Sequence, residues 1–118
     1  MLADPQSVTL AAVAKSVRRT NQDAFKSEYL FRDSAEQLKL VIGHSYEGKG
    51  TDGLRFERHL VRLDWNEFAL GVPTPLVSAY TVFRMKEGTD PTDLVNAGKA
   101  LRDYLTNTVI GDVVAWQS

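Results

Sequence analysis

Gly48, Gly50 and Gly53, in the stretch "GKGTDGLRFERHLVRLDW", fit G-x-G-x-x-G to the letter. That spacing cradles a dinucleotide pyrophosphate only where a strand precedes it and a helix opens straight after it, because the phosphate sits on the helix's free N–H groups. The residues after Gly53 alternate in character as a strand does, so the glycines are expected to link two strands and to supply a hairpin's positive φ angles. The only histidines, His44 and His59, have no paired carboxylate at metal-ligand spacing, and no nucleophile elbow accompanies them. No catalytic set, metal centre or cofactor is therefore expected. Glu47, Asp52 and Glu67 stand alone near loops, where such acids ordinarily face water. The remaining chemistry is cationic and aromatic: Lys39, Arg58, Arg62, Arg84 and Lys86, with Tyr80 among them.

Those groups matter only if the fold gathers them on one surface. "QSVTLAAVAKSVRR" reads as one or two short strands and "TNQD" as a turn. "AFKSEYLF" is a further strand, and "RDSAEQ" a polar connection. "QLKLVIGHSY" puts Leu38, Leu40, Ile42 and His44 on one face and Lys39, Val41, Gly43 and Ser45 on the other. In "LRFERHLVRLDW", Phe56, Arg58, Leu60, Arg62 and Asp64 share one side; a slip of one residue would exchange Arg58 for His59. "NEFALGVPTP" reads as a long loop, its Gly71, Pro73 and Pro75 opposing regular pairing. "LVSAYTVFRMK" then forms the last strand, with Ser78, Tyr80, Val82, Arg84 and Lys86 on one side. Beyond it, Asp90 can cap a helix with Pro91 in its first turn, and Leu94, Ala97, Leu101, Tyr104 and Leu105 form an apolar stripe. "TNT" interrupts that helix, and "VIGDVVAW" gives a short second helix or a turn.

Strands first and helices last predict an α+β fold: an antiparallel sheet with an N-terminal hairpin, and two C-terminal helices on one of its faces. The other face stays open, and Lys39, Arg58, Arg62, Tyr80 and Arg84 are expected there. Cations neutralise phosphates, and a ring stacks on an unpaired base for about 1–3 kcal/mol, so this face suits single-stranded or looped RNA. The plainer alternative is a solvated strand face, with Tyr80 against a neighbouring chain.

Composition sets the outer limits. The 118 residues, 43% hydrophobic, fit one domain spanning 1–118, with strands over about 6–88 and a helical tail over about 90–118. Fourteen Lys and Arg against fifteen Asp and Glu leave almost no net charge, so any basic surface must come from placement. There is no cysteine, hence neither a disulfide framework nor a thiolate metal site. The start, "MLADPQSVTL", lacks the marks of a signal peptide, and no apolar run reaches the roughly 18 residues of a membrane span, so a cytosolic chain is expected.

The order of elements and several stretches resemble the coat proteins of the single-stranded RNA bacteriophages, the levivirus coat protein family. The resemblance runs from about "SVTL" to the end. It is carried by "TNQDAFKSEYLF", by "LKLVIGHSYEGKG" leading into "RFERHLVRLDW", and by "DLVNAGKALRDYLTNTVIGDVVAW". It implies a homodimer in which two sheets join edge to edge and each chain's helices lie across its partner's sheet. Leu94, Leu101, Tyr104, Leu105, Val113 and Trp116 would then be interface residues, whereas on pattern alone Val113, Val114 and Trp116 could equally cap the protomer's own core. It further implies a T=3 icosahedral shell, with Phe68, Gly71, Pro73 and Pro75 in a loop between dimers.

The resemblance also implies that the open face lines the shell's interior and binds genomic RNA through Lys39, Ser45, Arg58, Arg62, Tyr80 and Arg84. An RNA hairpin that represses replicase translation and a viral maturation protein are the further implied partners. The implied location is the virion, after synthesis in the cytoplasm of a bacterial host. Val41, Gly43, Leu60 and Val82 depart from the Thr, Ser or Asn of well-known relatives, which favours phosphate contact over base-specific recognition. A dimeric RNA-binding regulator that builds no shell, and a small α+β enzyme, are the competing readings.

Overall fold

The computed structural model describes residues 2–69 and 71–117. In chain order its elements are β1 (Gln6–Leu10), β2 (Val13–Gln22), β3 (Lys26–Arg32), β4 (Glu36–Tyr46), β5 (Phe56–Ala69), β6 (Val72–Lys86), α1 (Pro91–Tyr104) and α2 (Asn107–Val114). The strands form one antiparallel meander in sequence order. Each joins its neighbour through a short connection, as an antiparallel pair allows.

Period-two alternation gives the sheet two unlike faces. Tyr29, Leu40, Leu63 and Ala79 lie in one cross-strand row, with Phe31, Leu38, Trp65 and Val77 in another beside it. This is the apolar face. Val17, Tyr29 and Leu38 are its buried centre, and Val8, Leu10, Phe31, Leu40, Ile42, Leu63 and Trp65 pack around them. The β1–β2 hairpin covers that centre. Lys15 on β2 reaches Glu36 on β4 at 3.0 Å and lies over the Phe31 ring, and the Trp65 indole N–H donates to the same Glu36 carboxylate. The two residues between β1 and β2, Ala11 and Ala12, both have positive φ, 50° and 63°. A two-residue hairpin turn of type I′ has this conformation whatever its sequence.

Two connections differ from the sequence expectation. "TNQD" is not a turn as a whole: β2 continues through Gln22, with a bulge between Arg19 and Asn21, and Asp23 makes the turn by accepting from the N–H groups of Phe25 and Lys26. "NEFALGVPTP" is not an open loop either. β5 and β6 pair across it, Asn66 with Pro75, Glu67 with Thr74, Phe68 with Pro73 and Ala69 with Val72, and Gly71 takes φ 77° beside the tip. Pro73 and Pro75 are tolerated because β6 is the sheet's last strand; residues two apart point the same way, so both missing donors can face the open edge. Leu70 and the side chains of Ala69 and Pro73, all within that predicted loop, lie outside the described residues. In the glycine stretch, Gly53 alone of the three glycines takes a positive φ, 76°, and β5 follows directly, so no helix is there to receive a phosphate.

α1 begins as the sequence indicates: the Asp90 carboxylate accepts from the Thr92 N–H, with Pro91 in the first turn. Thr106 caps α2 through the Val109 N–H. α1 meets the apolar face along β6, where Gly98 lies so close to Phe83 that an added Cβ would stand 3.2 Å from Cε1. Elsewhere the helices leave the sheet uncovered. Neither contains a buried residue, and Tyr104, Val113, Val114 and Trp116 are strongly exposed, Trp116 at 96%. The alternative in which Val113, Val114 and Trp116 cap the protomer's own core is therefore overturned.

Candidate nucleic-acid interface

The opposite face of the sheet is built by β4, β5 and β6. Ser45, Arg58 and Arg84 stand side by side in one row across the three strands; Val41, Arg62 and Tyr80 form a second, and Lys39, Asp64 and Ser78 a third. Gly43, Leu60 and Val82 lie between the first two. The register places Arg58, not His59, on this side. Lys39, Ser45, Arg58, Arg62, Tyr80 and Arg84 thus share one face, and Tyr80 is 68% exposed.

The cations do not stand alone. Arg84 grips Glu47 through Nε at 2.6 Å and Nη2 at 3.1 Å, and its guanidinium lies over the Phe56 ring. Arg62 Nε donates to Asp64 at 3.1 Å, and the Ser78 hydroxyl donates to the other oxygen of the same carboxylate. Lys39 and Lys26 converge on Glu28 at 3.5 and 2.9 Å, and Lys86 pairs with Asp52. These contacts shift the acids. The Arg84 hydrogen bond holds the Glu47 carboxyl below its ordinary value, with the charges of Arg84 and Arg58 adding to it. Lys26 does the same for Glu28, and Lys86 for Asp52. All of these pairs are at least partly solvated, and exposed ion pairs contribute little net stability, so a phosphate group can displace the carboxylate.

Around Gly43, which has no side chain to fill the surface, a shallow hollow of about 300 Å³ opens. Val41, Gly43 and Leu60 supply apolar surface in it, and Phe25, Lys26, Arg58 and Arg62 also line it. Phe25 and Lys26 come from the β2–β3 turn and the start of β3, and reading β4 to β6 alone missed them. The carboxylate partners were partly legible. Asp64 follows Arg62 at i+2 and must share its face, and Glu47 continues the odd positions of β4.

The other predicted groups separate. Phe68 and Pro75 lie at the far end of the β5–β6 hairpin, where Arg32 stacks on the Phe68 ring. Leu94, Leu101, Tyr104, Leu105, Val113 and Trp116 lie in the helical tail or just after it, Leu94 half-buried and the other five exposed, Trp116 almost completely. Among the described residues, no group of three or more His, Cys, Asp or Glu side chains is placed to hold one metal ion together.

Comparison with known proteins agrees with this architecture. Among solved structures, the bacteriophage EMS014 coat protein superposes with a TM-score of 0.55 at 14% identity, over 86% of this chain and 72% of that one, a likeness of fold. No curated protein sequence matches. The family model described as the coat protein of phage phiCb5 matches residues 3–86, which takes in all six strands. The chain is a bacteriophage coat protein of the phage phiCb5 coat protein family.

Proposed function

We propose that this coat protein forms a homodimer whose copies close into a T=3 icosahedral shell around single-stranded genomic RNA, with the β4–β6 face turned inward to the RNA. The observation that carries the proposal is the pair of rows Ser45–Arg58–Arg84 and Arg62–Tyr80, which set guanidinium groups and an exposed ring on one open face. Phosphates take the arginines and Lys39, and an unpaired base stacks on Tyr80 or enters the hollow at Gly43. That hollow has an apolar floor, so it accepts bases with little discrimination. Packaging therefore dominates over recognition of one operator hairpin, and repression of replicase translation is the weaker part of the assignment.

Dimerisation is supported from the other side of the sheet. The apolar face is covered only by the β1–β2 hairpin and by α1 along β6, and the helices carry Leu101, Tyr104, Leu105, Ile110, Val113 and Trp116 exposed. A second copy whose helices lie across this face removes both sets of apolar surface from water, in the manner of an obligate interface. Joining sheets at β6 also uses that strand's free edge, which an isolated protomer leaves open to unintended pairing. The β5–β6 hairpin tip, with Phe68, Gly71, Pro73 and Pro75, makes the contacts between dimers. Shortening it is expected to leave dimers intact and to prevent closed shells.

RNA binding is tested by fluorescence anisotropy with a single-stranded oligonucleotide across a salt series. Arg58→Ala and Arg62→Ala should each weaken binding and flatten the slope of log affinity against log salt by about 0.7, the loss of one phosphate contact to a single strand. Unchanged slopes for both would remove RNA from this face. A dimer that binds RNA but never assembles would favour the regulatory reading.

A further inference from the structure

His44 and His59 are cross-strand partners on β4 and β5, in register with the apolar side of the sheet. The His44 N–H is bonded to the Phe25 carbonyl just ahead of β3, so it points away from β5 and the two histidines form a non-hydrogen-bonded pair. Side chains approach most closely at such pairs. Here the two Nδ1 atoms stand 2.8 Å apart, with the rings edge to face at 5.0 Å between centroids. The far nitrogen of His59, Nε2, lies 3.3 Å from Glu57 Oε2. A carboxylate accepts, so Nε2 carries the His59 proton and its Nδ1 presents a lone pair toward His44. The hydrogen between the rings then belongs to His44.

We propose that His44 and His59 form a two-imidazole site for a divalent transition-metal ion that takes ligands at right angles, of the Cu²⁺ or Ni²⁺ class. Two nitrogens bound to one ion at right angles, with bonds of about 2.0–2.1 Å, stand about 2.9 Å apart, and imidazole suits this class of ion. The spacing in the structure is already that of neighbouring ligands. Glu57 holds the far nitrogen of His59 as a carboxylate commonly holds that of a metal-bound histidine, fixing its tautomer and leaving Nδ1 free to bind. Binding needs one further event: the exposed His44 moves its proton from Nδ1 to Nε2 through water, so that both Nδ1 lone pairs face the ion. A hollow of about 170 Å³ beside the pair, lined by Ala24, Phe25, Tyr46 and Glu57, leaves room for the water ligands that complete the coordination. With two protein ligands the site is weaker than a three- or four-ligand structural centre.

Untagged protein titrated with Cu²⁺ and followed by electron paramagnetic resonance tests the site directly, because the chain has only two histidines and the spectrum counts bound nitrogens at any particle size. One ion per chain with two equatorial imidazole nitrogens is expected. His44→Gln and His59→Gln should each lose that signature, and Glu57→Gln should keep it while lowering affinity about tenfold or more. Single-nitrogen coordination, or uptake unchanged when both histidines are replaced, would overturn the proposal. Should the variants fail to fold, the nitrogen count of the unaltered protein still decides.

Discussion

Arg84 on β6 and Glu47, the residue after β4, are joined at two points, Nε to Oε2 and Nη2 to Oε1, across the open face of the sheet. The carboxylate occupies the positions a phosphate would take, so on the proposed RNA-binding role of this face it would compete with RNA for the guanidinium. Glu47→Gln is expected to raise affinity for single-stranded RNA several-fold and to steepen the salt slope by about 0.7, read by anisotropy at several ionic strengths. An unchanged affinity and slope would mean that Arg84 does not meet phosphate.

Five carboxylates are held below their ordinary values: Glu28 by Lys26, Glu47 by Arg84, Asp52 by Lys86, Glu87 by Arg55, and Asp33 by the N–H groups of Ala35 and Glu36. A carboxyl whose value is depressed by folding adds stability that is fully present above its unfolded value, about 4, and is lost as pH falls through the folded one. These groups should therefore leave the melting temperature unchanged between pH 7 and 5 and lower it below about pH 4.5. Added salt should shrink the acid step by screening the four ion-paired acids. Asp33→Asn should shrink it by a part that salt does not affect. Melting curves from pH 7 to 2.5 check both, and a melting temperature that does not fall in acid would contradict the assignment.

The β1–β2 turn holds two alanines in the left-handed region, which costs an L-residue roughly 1–2 kcal/mol. Ala11→Asn with Ala12→Gly supplies the residues that such a turn favours. The double variant should gain about 1 kcal/mol or more in denaturant unfolding at an unchanged m-value. A loss of stability would show that the turn is not of this type in solution.

Trp116 is 96% exposed in the single chain, so replacing it removes nothing from the protomer's own packing. If the helical tail clasps a second copy, Trp116→Ala should weaken the dimer by about 2 kcal/mol or more, since buried aromatic anchors dominate such interfaces. Circular dichroism of the protomer should not change. Sedimentation of both proteins over a dilution series reads the difference, and equal dimer constants would take Trp116 out of the interface.

Much of this was legible because alternation and capping are local. Which residues of each strand share a side followed from period two alone, and Asp90 and Pro91 marked the start of α1. The choice between Arg58 and His59 needed the pairing with Ser45 and Arg84, which no single strand encodes. Pro73 and Pro75 misled because a proline's effect depends on whether its strand has a neighbour on that side, and the edge position of β6 is a property of the whole sheet. Ala11 and Ala12 carry no turn signal; the strands on either side impose the conformation. The contact of His44 with His59 likewise exists only once β4 and β5 are in register.

The most direct measurement is the nucleic-acid content of particles made by expressing this chain alone, taken from the 260 to 280 nm absorbance ratio of the leading size-exclusion peak and from negative-stain images of it. Uniform shells carrying RNA, with less RNA per shell in the Arg58→Ala and Arg62→Ala variants, are the predicted result. Closed shells with the same RNA content in both variants, or a clean dimer free of RNA, would contradict the inward, RNA-binding role of the β4–β6 face.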